Sequence, residues 1–541
     1  MQSTAIEQWA GSLEDISFGD AFNECIRGVV WPTLVRKLSF GKKFNRPVDD
    51  VVWPASLRVL SFGDAFAQPI AGDVWPASLQ ELSLGNAFNR PIAGVLWPDS
   101  LQKLSLGGRF NQPIAAVVWP ASLQQLSFGT FNRGFNQPIS GITWPATLRK
   151  LSFGFSFNQP IAKITWPATL QQLSFGHSFN QPLARVVWPA SLQQLSFGSN
   201  YCSAFNQPIT GITWPASIQQ LEFGGGFDQL ITEVVWPASL QKLSVGNPPI
   251  DDVVWPTSLQ ELCFGRNFNE SIAGVVWPAS LQQLTLGNPP INDVVWPVSL
   301  EWLCFESFNR PIIGVAWPAS LLHLAMGECF NQPIIGVVWP PSLQRLWIGG
   351  DFNQPITGVV WPASLLQLYF GNDFNQPIAG VVWPASLQEL GFSAYPTSFD
   401  QPIVGVSWPA SLVKLEFGDA FNQPIAAVGV PWPASLVTLD LGGAFNQPIA
   451  GVVWPASLQE LEFGGYRTSF NQPIVGISWP ASLVKVSFGD AFNQPIAGVV
   501  WPASLQELEF GYDKSNFDQP IVGVEWPASL RSVTRGGAIL L

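Results

Sequence analysis

Two prolines in every 22 residues decide what this chain cannot be. The unit "WPASLVKVSFGDAFNQPIAGVV", Trp479 to Val500, contains Pro480 and Pro495, and close copies of it fill nearly all 541 residues. Each proline removes a backbone donor and pushes its predecessor toward extended geometry, so no copy has room for a long helix. A tryptophan opens each copy: Trp9, Trp31, Trp53, Trp75, Trp97, Trp119 and onward to Trp526, 24 in all and most often 22 residues apart. A fixed period of this length marks a stacked array rather than a string of globular domains. Counting each copy from its Trp as position one lets the copies be compared column by column.

Apolar residues at positions five, eight and ten (Leu483, Val486, Phe488 in this unit) predict a short strand. Positions eight and ten share its inner face, and seven and nine turn outward to solvent. Parallel pairing of successive coils about 4.8 Å apart predicts a rod or arc roughly 110 Å long. One coil cannot bury its own rings; stacking lets Trp479, Phe488 and Phe492 cover both faces of each ring against neighbours. The fold class is therefore all-β, a parallel solenoid of about 24 coils with little or no α-helix. It is read as one array over residues 1–541, with a short lead-in at 1–8 and a C-terminal tail at 536–541.

Position fifteen is Asn in most coils (Asn45, Asn89, Asn111, Asn158, Asn331, Asn375, Asn493), with Asp228, Asp400 and Asp518 as substitutes and Ala67 as an exception. Two shortened coils, "VGNPPI" at Val245 and "LGNPPI" at Leu286, lose the three residues before this column yet keep Asn247 and Asn288. That retention predicts an asparagine ladder satisfying buried backbone groups near the turn. Insertions beginning at Thr130, Ser199, Ser393, Gly465 and Tyr512 all fall between the strand and the following Phe, which predicts that these loops line one rim.

The combined spacing of "FNQPI", "WPASL" and "LxxLxFG" resembles the FNIP repeat, a leucine-rich-repeat-like unit of about 22 residues. The resemblance covers nearly the whole chain. It implies a leucine-rich-repeat-like solenoid with protein recognition as its role, and it supplies no catalytic residues. The chain departs from that pattern in placing Trp where the family commonly has a smaller apolar residue, as at Trp53 and Trp383, a change expected to fatten the core. Some members carry an F-box or another signalling domain; residues 1–8 are too short for one, which argues against a degradation-adaptor role.

Charged residues make up only 11% of the chain and hydrophobic ones 47%, so the array is expected to fold. A net charge of −12 with no basic patch argues against nucleic acid and anionic membranes as partners. No apolar run long enough to span a bilayer occurs, and the N-terminus lacks a secretory pattern, so an intracellular, cytoplasmic location is expected. The five cysteines (Cys25, Cys202, Cys263, Cys304, Cys329) show neither paired spacing nor a CxxC motif. They read as reduced thiols, with no metal site and no cofactor.

Identical coils build a scaffold; a site must lie where the copies disagree. Column nine is Ser through most early coils, from Ser17 to Ser196, and then becomes Cys263, Thr285, Cys304, Ala325, Trp347, Tyr369 and Gly391. Over the same stretch column seven holds Trp302, His323, Arg345 and Gln367. Trp302, His323, Arg345, Trp347, Gln367 and Tyr369 should adjoin across four successive coils and form a partner-binding patch, since exposed Trp, Tyr and Arg anchor interfaces. The competing reading is that the rings only stack along the sheet and stabilise it.

Further on the same columns turn acidic, at Glu389, Glu416, Asp440, Glu460, Glu462, Glu507 and Glu509, offset by Lys414 and Lys485. Stacked carboxylates repel, which suggests a basic protein segment or cations as their complement; the plainer reading is a solvated face. Catalysis finds little support. The chain has only His177 and His323, and although Cys304 lies one coil from His323, no third member or oxyanion device accompanies them. The sequence thus points to a non-enzymatic protein-binding scaffold with an unidentified partner. The alternative is a structural or surface-adsorbing rod whose working surface is the regular Ser and Gln columns; in its self-associating form Glu14 and Asp15 at one end would meet Arg531 and Arg535 at the other, whereas the simpler reading of those terminal charges is that they discourage growth.

Overall fold

The computed structural model describes residues 12–72, 74–129, 134–198, 203–392, 397–426, 430–464, 468–511 and 515–541. Trp9, the lead-in at 1–8, Cys202 and most of each insertion (from Thr130, Ser199, Ser393, Gly465 and Tyr512) lie outside the described residues. The chain divides into two compact units, Met1–Glu270 with Val275–Ser280, and Ser271–Gly274 with Leu281–Leu541. The described residues contain no helix.

Every coil follows the same local logic. The amide at position five donates to the carbonyl of the proline at position two, as Leu57 does to Pro54 at 3.0 Å, closing a turn that feeds the strand. After the strand, Phe66 donates to Gly63 at 3.1 Å, and a third turn closes from Val117 to Ile114 at 3.1 Å. In most coils the third residue of that last turn takes positive φ, which glycine supplies (Gly94 at 81°, Gly380 at 80°), although Ala116, Lys163 and Glu233 close the same turn without it. Asp50, Arg185, Asp252 and Asp293 adopt the same conformation without glycine's freedom. The glycine at position eleven answers a different need: a Cβ on Gly85 would strike the carbonyl of Gly63 in the preceding coil. A strand and three turns fill 22 residues.

Among the described residues the first unit holds twelve strands, from β1 (Asp15–Ser17) to β12 (Glu261–Cys263). Each pairs in parallel with the next in unbroken register: Leu38 with Leu60, Leu60 with Leu82, Leu221 with Leu243. Register survives the shortened coil, where Lys242 still faces Glu261. The second unit runs from β13 (Gln283–Leu286) through β14 (Trp302–Phe305), β15 (His323–Ala325), β16 (Arg345–Ile348), β17 (Gln367–Phe370) and β18 (Glu389–Gly391) to β24 (Ser532–Arg535). The C-terminal tail is structured: β25 (Ala538–Ile539) turns back antiparallel and covers the edge of β24 that end-to-end growth would use.

The core is three ring columns. Position-one indoles stack at 6.0 Å and 14° for Trp479 and Trp501, and Trp501 is only 7% exposed. Position-fourteen rings stack at about the same spacing, 6.3 Å for Phe66 and Phe88, while positions ten and fourteen meet within a coil at 4.2 Å for Phe153 and Phe157. Most indole N–H groups, those of Trp75, Trp119 and Trp501 among them, find no acceptor. The columns hold by ring burial, strongly enough to outweigh that loss.

Two polar ladders knit coil to coil. The Oδ1 of Asn158 accepts the backbone N–H of Asn180 at 2.9 Å and the Nε2 of Gln181 at 2.9 Å, and the pattern repeats along the column. Asp400 does the same for Asn422 and Gln423. The shortened coils differ from each other. Asn288 serves the ladder by accepting from Asn309 at 3.1 Å, whereas Asn247 turns its Nδ2 to the Gly225 carbonyl at 3.2 Å. With the preceding Phe deleted, the Asn247 amide is drawn instead to the carbonyl of Phe227 at 2.6 Å. The second ladder had no counterpart in the sequence reading: the hydroxyl at position four donates to the position-five carbonyl one coil earlier, as Ser78 does to Leu57 and Ser386 to Leu365.

Because the ladder needs an acceptor rather than an amide, Asn158→Asp is expected to leave thermal and denaturant unfolding nearly unchanged. Asn158→Ala, which orphans two donors, is expected to cost about 1–3 kcal/mol in equilibrium unfolding.

Candidate functional site

All six patch residues lie on β14 to β17 of the second unit, in the register their columns require. Trp302 pairs with His323, His323 with Arg345, Arg345 with Gln367, and Trp347 with Tyr369. They divide into two aromatic pairs. Trp302 and His323 sit ring to ring at 4.9 Å and 38°, both partly buried. Trp347 and Tyr369 meet edge to face at 6.2 Å and 74°. Trp347 is 53% exposed, unlike the buried position-one indoles, and Arg345 beside it is also exposed.

Gly391 faces Tyr369 across the register and has no side chain to fill the space. The Tyr369 ring crosses into the neighbouring column, where its hydroxyl donates to Glu389 Oε2 at 2.5 Å. That bond joins the patch to the first acidic-ladder residue, a link invisible in the column pattern. Burial, then the Glu389 hydrogen bond and charge, push the phenol well above its ordinary pKa, so Tyr369 stays a donor.

His323 is held below its ordinary pKa by burial and by Arg345, with Glu301 opposing; its neutral ring offers Trp302 a flat apolar face. Burial and the charge of Glu306 push the Cys304 thiol up to about 11, so the pair supplies no thiolate nucleophile near neutral pH. His177, in the first unit, lies flat against Phe155 at 4.4 Å.

The acidic ladder is more compensated than bare stacking of carboxylates predicts. Lys414 binds Glu416 at 2.6 Å, and Lys485 reaches both Glu462 at 3.2 Å and Glu509 at 3.7 Å. Glu460 accepts from the Thr438 hydroxyl at 3.3 Å, and Glu507 is exposed. Asp440 lies between Glu416 and Glu462 in column nine. Burial and those two carboxylates raise its pKa to about 6, although the amides of Gly442 and Gly464 bond to its Oδ1 at 2.8 and 3.2 Å.

The expectation that columns seven and nine point freely to solvent needs correction. Most of these side chains are only partly exposed, and Ser244 and Ser487 are buried at 1%. Ser487 sits between the longer Glu462 and Glu509, which Lys485 draws together over it, and Ser244 sits between Glu222 and the buried Cys263. In the first unit a shallow groove of about 130 Å³ crosses the same columns over Gln172, Ser174, Gln194 and Ser196. Its floor is the repeated Gln and Ser pattern, with Lys150 and Glu222 also in the lining.

Asp440 makes the ladder pH-sensitive. Its folded pKa of about 6 stands above its ordinary 3.8, so the folded state binds the proton more tightly and stability falls as pH rises between those values. Asp440→Asn is expected to remove that slope and to raise stability above pH 6 by on the order of 2 kcal/mol, read from thermal unfolding at pH 4.5 and 7.5. An unchanged slope would show that Asp440 ionises freely.

The FNIP Repeat family model matches residues 44–87, 88–131, 157–200, 205–248, 330–373, 352–395 and 470–513, together just over half of the chain. The crystal structure of CroV588, described as a novel circular LRR protein, is 37% identical, covering 98% of this chain and 83% of its own, with a TM-score of 0.67. The TLR13–ssRNA13 complex is 13% identical, covering 93% of this chain and 85% of that one at a TM-score of 0.59, a likeness of fold alone. No curated protein matches the sequence. A family model over more than half the residues and a solved relative over nearly all of them agree with the ladders and register: the chain belongs to the FNIP-repeat family, with a leucine-rich-repeat-like solenoid fold.

Proposed function

We propose that this chain is a non-enzymatic protein-binding scaffold whose contact surface is the strand face from Trp302 to Tyr369, extended by the acidic ladder. Solenoids of the leucine-rich type commonly mediate protein interactions, which gives the class. The observation that carries the location is Trp347, an indole more than half exposed among columns of buried ones, edge-on to Tyr369 and flanked by Arg345. Stacking alone accounts for Trp302 against His323; it leaves the outer face of Trp347 unused.

The electrostatics favour a partner segment that pairs an apolar anchor with basic side chains. The anchor would fill the angle between Trp347 and Tyr369, while the basic groups would reach Glu460 and Glu507, which flank Lys485 in column seven while its ammonium pairs with Glu462 and Glu509. The same acidity opposes a phosphate backbone at this face.

Affinity capture from the native cell, comparing the parent chain with Trp347→Ala/Tyr369→Ala, tests the reading. Both side chains are at the surface, so the variant is expected to fold as the parent does and to lose at least one specific protein. Identical recovery by both would remove the patch from consideration.

A further inference from the structure

A second surface of the second unit is more unusual than the strand face, and no column comparison of the strand exposed it. Positions 3, 17, 19, 20 and 22 of each coil lie around the two turns that flank the buried tryptophan, and nearly all of them are exposed. Among the described residues between Asp293 and Glu525, none of these positions carries a charge. The face is built from Pro, Ala, Gly and β-branched residues with Ser407 and Ser478, and the position-22 valines form its ridge: Val338, Val360, Val382, Val453 and Val500 are 79–81% exposed.

The coil does not impose this composition. At the same positions the first unit carries Asp49, Asp99, Lys163, Arg185, Glu233 and Asp252, all exposed and all accommodated in the same turns. Charge is tolerated there, as it is at Asp293 and Glu525 at the two ends of this stretch, so its absence between them is a property of that surface. A continuous apolar face of this extent is not left to water in a soluble protein.

We propose that this face is the interface between two copies of this chain, packed ridge against gutter about a two-fold axis. The proposal goes beyond the binding reading above and does not use the strand face. Size supports it. Twelve large hydrophobics lie exposed on this face between Asp293 and Glu525. At on the order of 100 Å² each, they reach about 1,200 Å² per copy, above the roughly 800 Å² per partner of a standard stable interface.

Shape supports it as well. The ridge runs beside the position-20 glycines, such as Gly336, Gly358 and Gly380, where a side chain would meet nothing beyond the adjoining residues within 4 Å and none is present to fill the space. The same surface therefore offers both the knob and the hollow, which is what a self-complementary two-fold contact requires. The chain's net charge of −12 makes two copies repel at long range, so the contact should strengthen as salt rises.

The test is sedimentation velocity on the full chain across a dilution series, with flotation on phosphatidylcholine vesicles alongside. The parent chain should sediment as a dimer, and Val360→Lys/Val382→Lys should weaken it by at least about tenfold. Should the lysine variant fail to fold by circular dichroism, Val360→Ser/Val382→Ser takes its place, because Ser407 and Ser478 already occupy that column. Val187→Lys, at the same position in the first unit, should leave the dimer intact, and so should Trp347→Ala/Tyr369→Ala, which keeps this outcome separate from that of the strand face. A parent chain that stays monomeric, a dimer that survives both valine variants, or a monomer that floats with the vesicles would each overturn the proposal, the last by assigning the face to lipid.

Discussion

Everything in this molecule depends on one coil sitting in register on the next. A single coil has a three- or four-residue strand, three turns and a few rings that cannot cover themselves, far too little to offset the entropy of ordering 22 residues. The neighbouring coil supplies the other face of each ring, the acceptor for the position-fifteen amide and the parallel partner for each strand. The asparagine column does this most economically, because one Oδ1 receives both a backbone amide and a glutamine from the next coil. Where the turn is shortened at Asn247, the backbone finds a carbonyl rather than leaving a donor unmet, and the register across the deletion is kept.

That constraint also sorts residues into those that build and those free to vary. Positions held by the stack (the indole, the inner strand residues, the phenylalanines, the asparagine) cannot mark a place, because nearly every coil carries them. Variation is confined to columns seven and nine on one side and to the exposed turn positions on the other, and in the second unit both surfaces depart from the first. The strand face gains large rings and acids, while the turn face loses its charges. Two surfaces with different chemistry fit two kinds of contact, one with a partner of another type and one with a copy of the chain.

Much of the architecture was legible in the sequence because periodicity states it outright: two prolines forbid helix, the LxxLxL spacing fixes the inward residues, and the asparagine retained in shortened coils identifies the ladder. What the columns could not convey was how side chains lean between them. Tyr369 reaching over Gly391 to Glu389, and Ser487 disappearing beneath Glu462 and Glu509, follow from the sizes of neighbours in adjacent coils rather than from strand alternation. The position-four hydroxyl ladder was hidden for the opposite reason, since a serine before a leucine at a turn reads as ordinary turn chemistry. The position-22 valines escaped because an apolar residue next to a tryptophan suggests core, yet the turn rotates that side chain outward.

The central claim is that stacking commits the periodic indoles to the interior and leaves Trp347 as an outward-facing exception. Hydroxyl-radical footprinting of the folded chain, read residue by residue by mass spectrometry, tests it directly. The account predicts rapid oxidation at Trp347 with strong protection of Trp339, Trp361, Trp383 and Trp501, each 7% exposed. Comparable oxidation of Trp347 and these column indoles would contradict it.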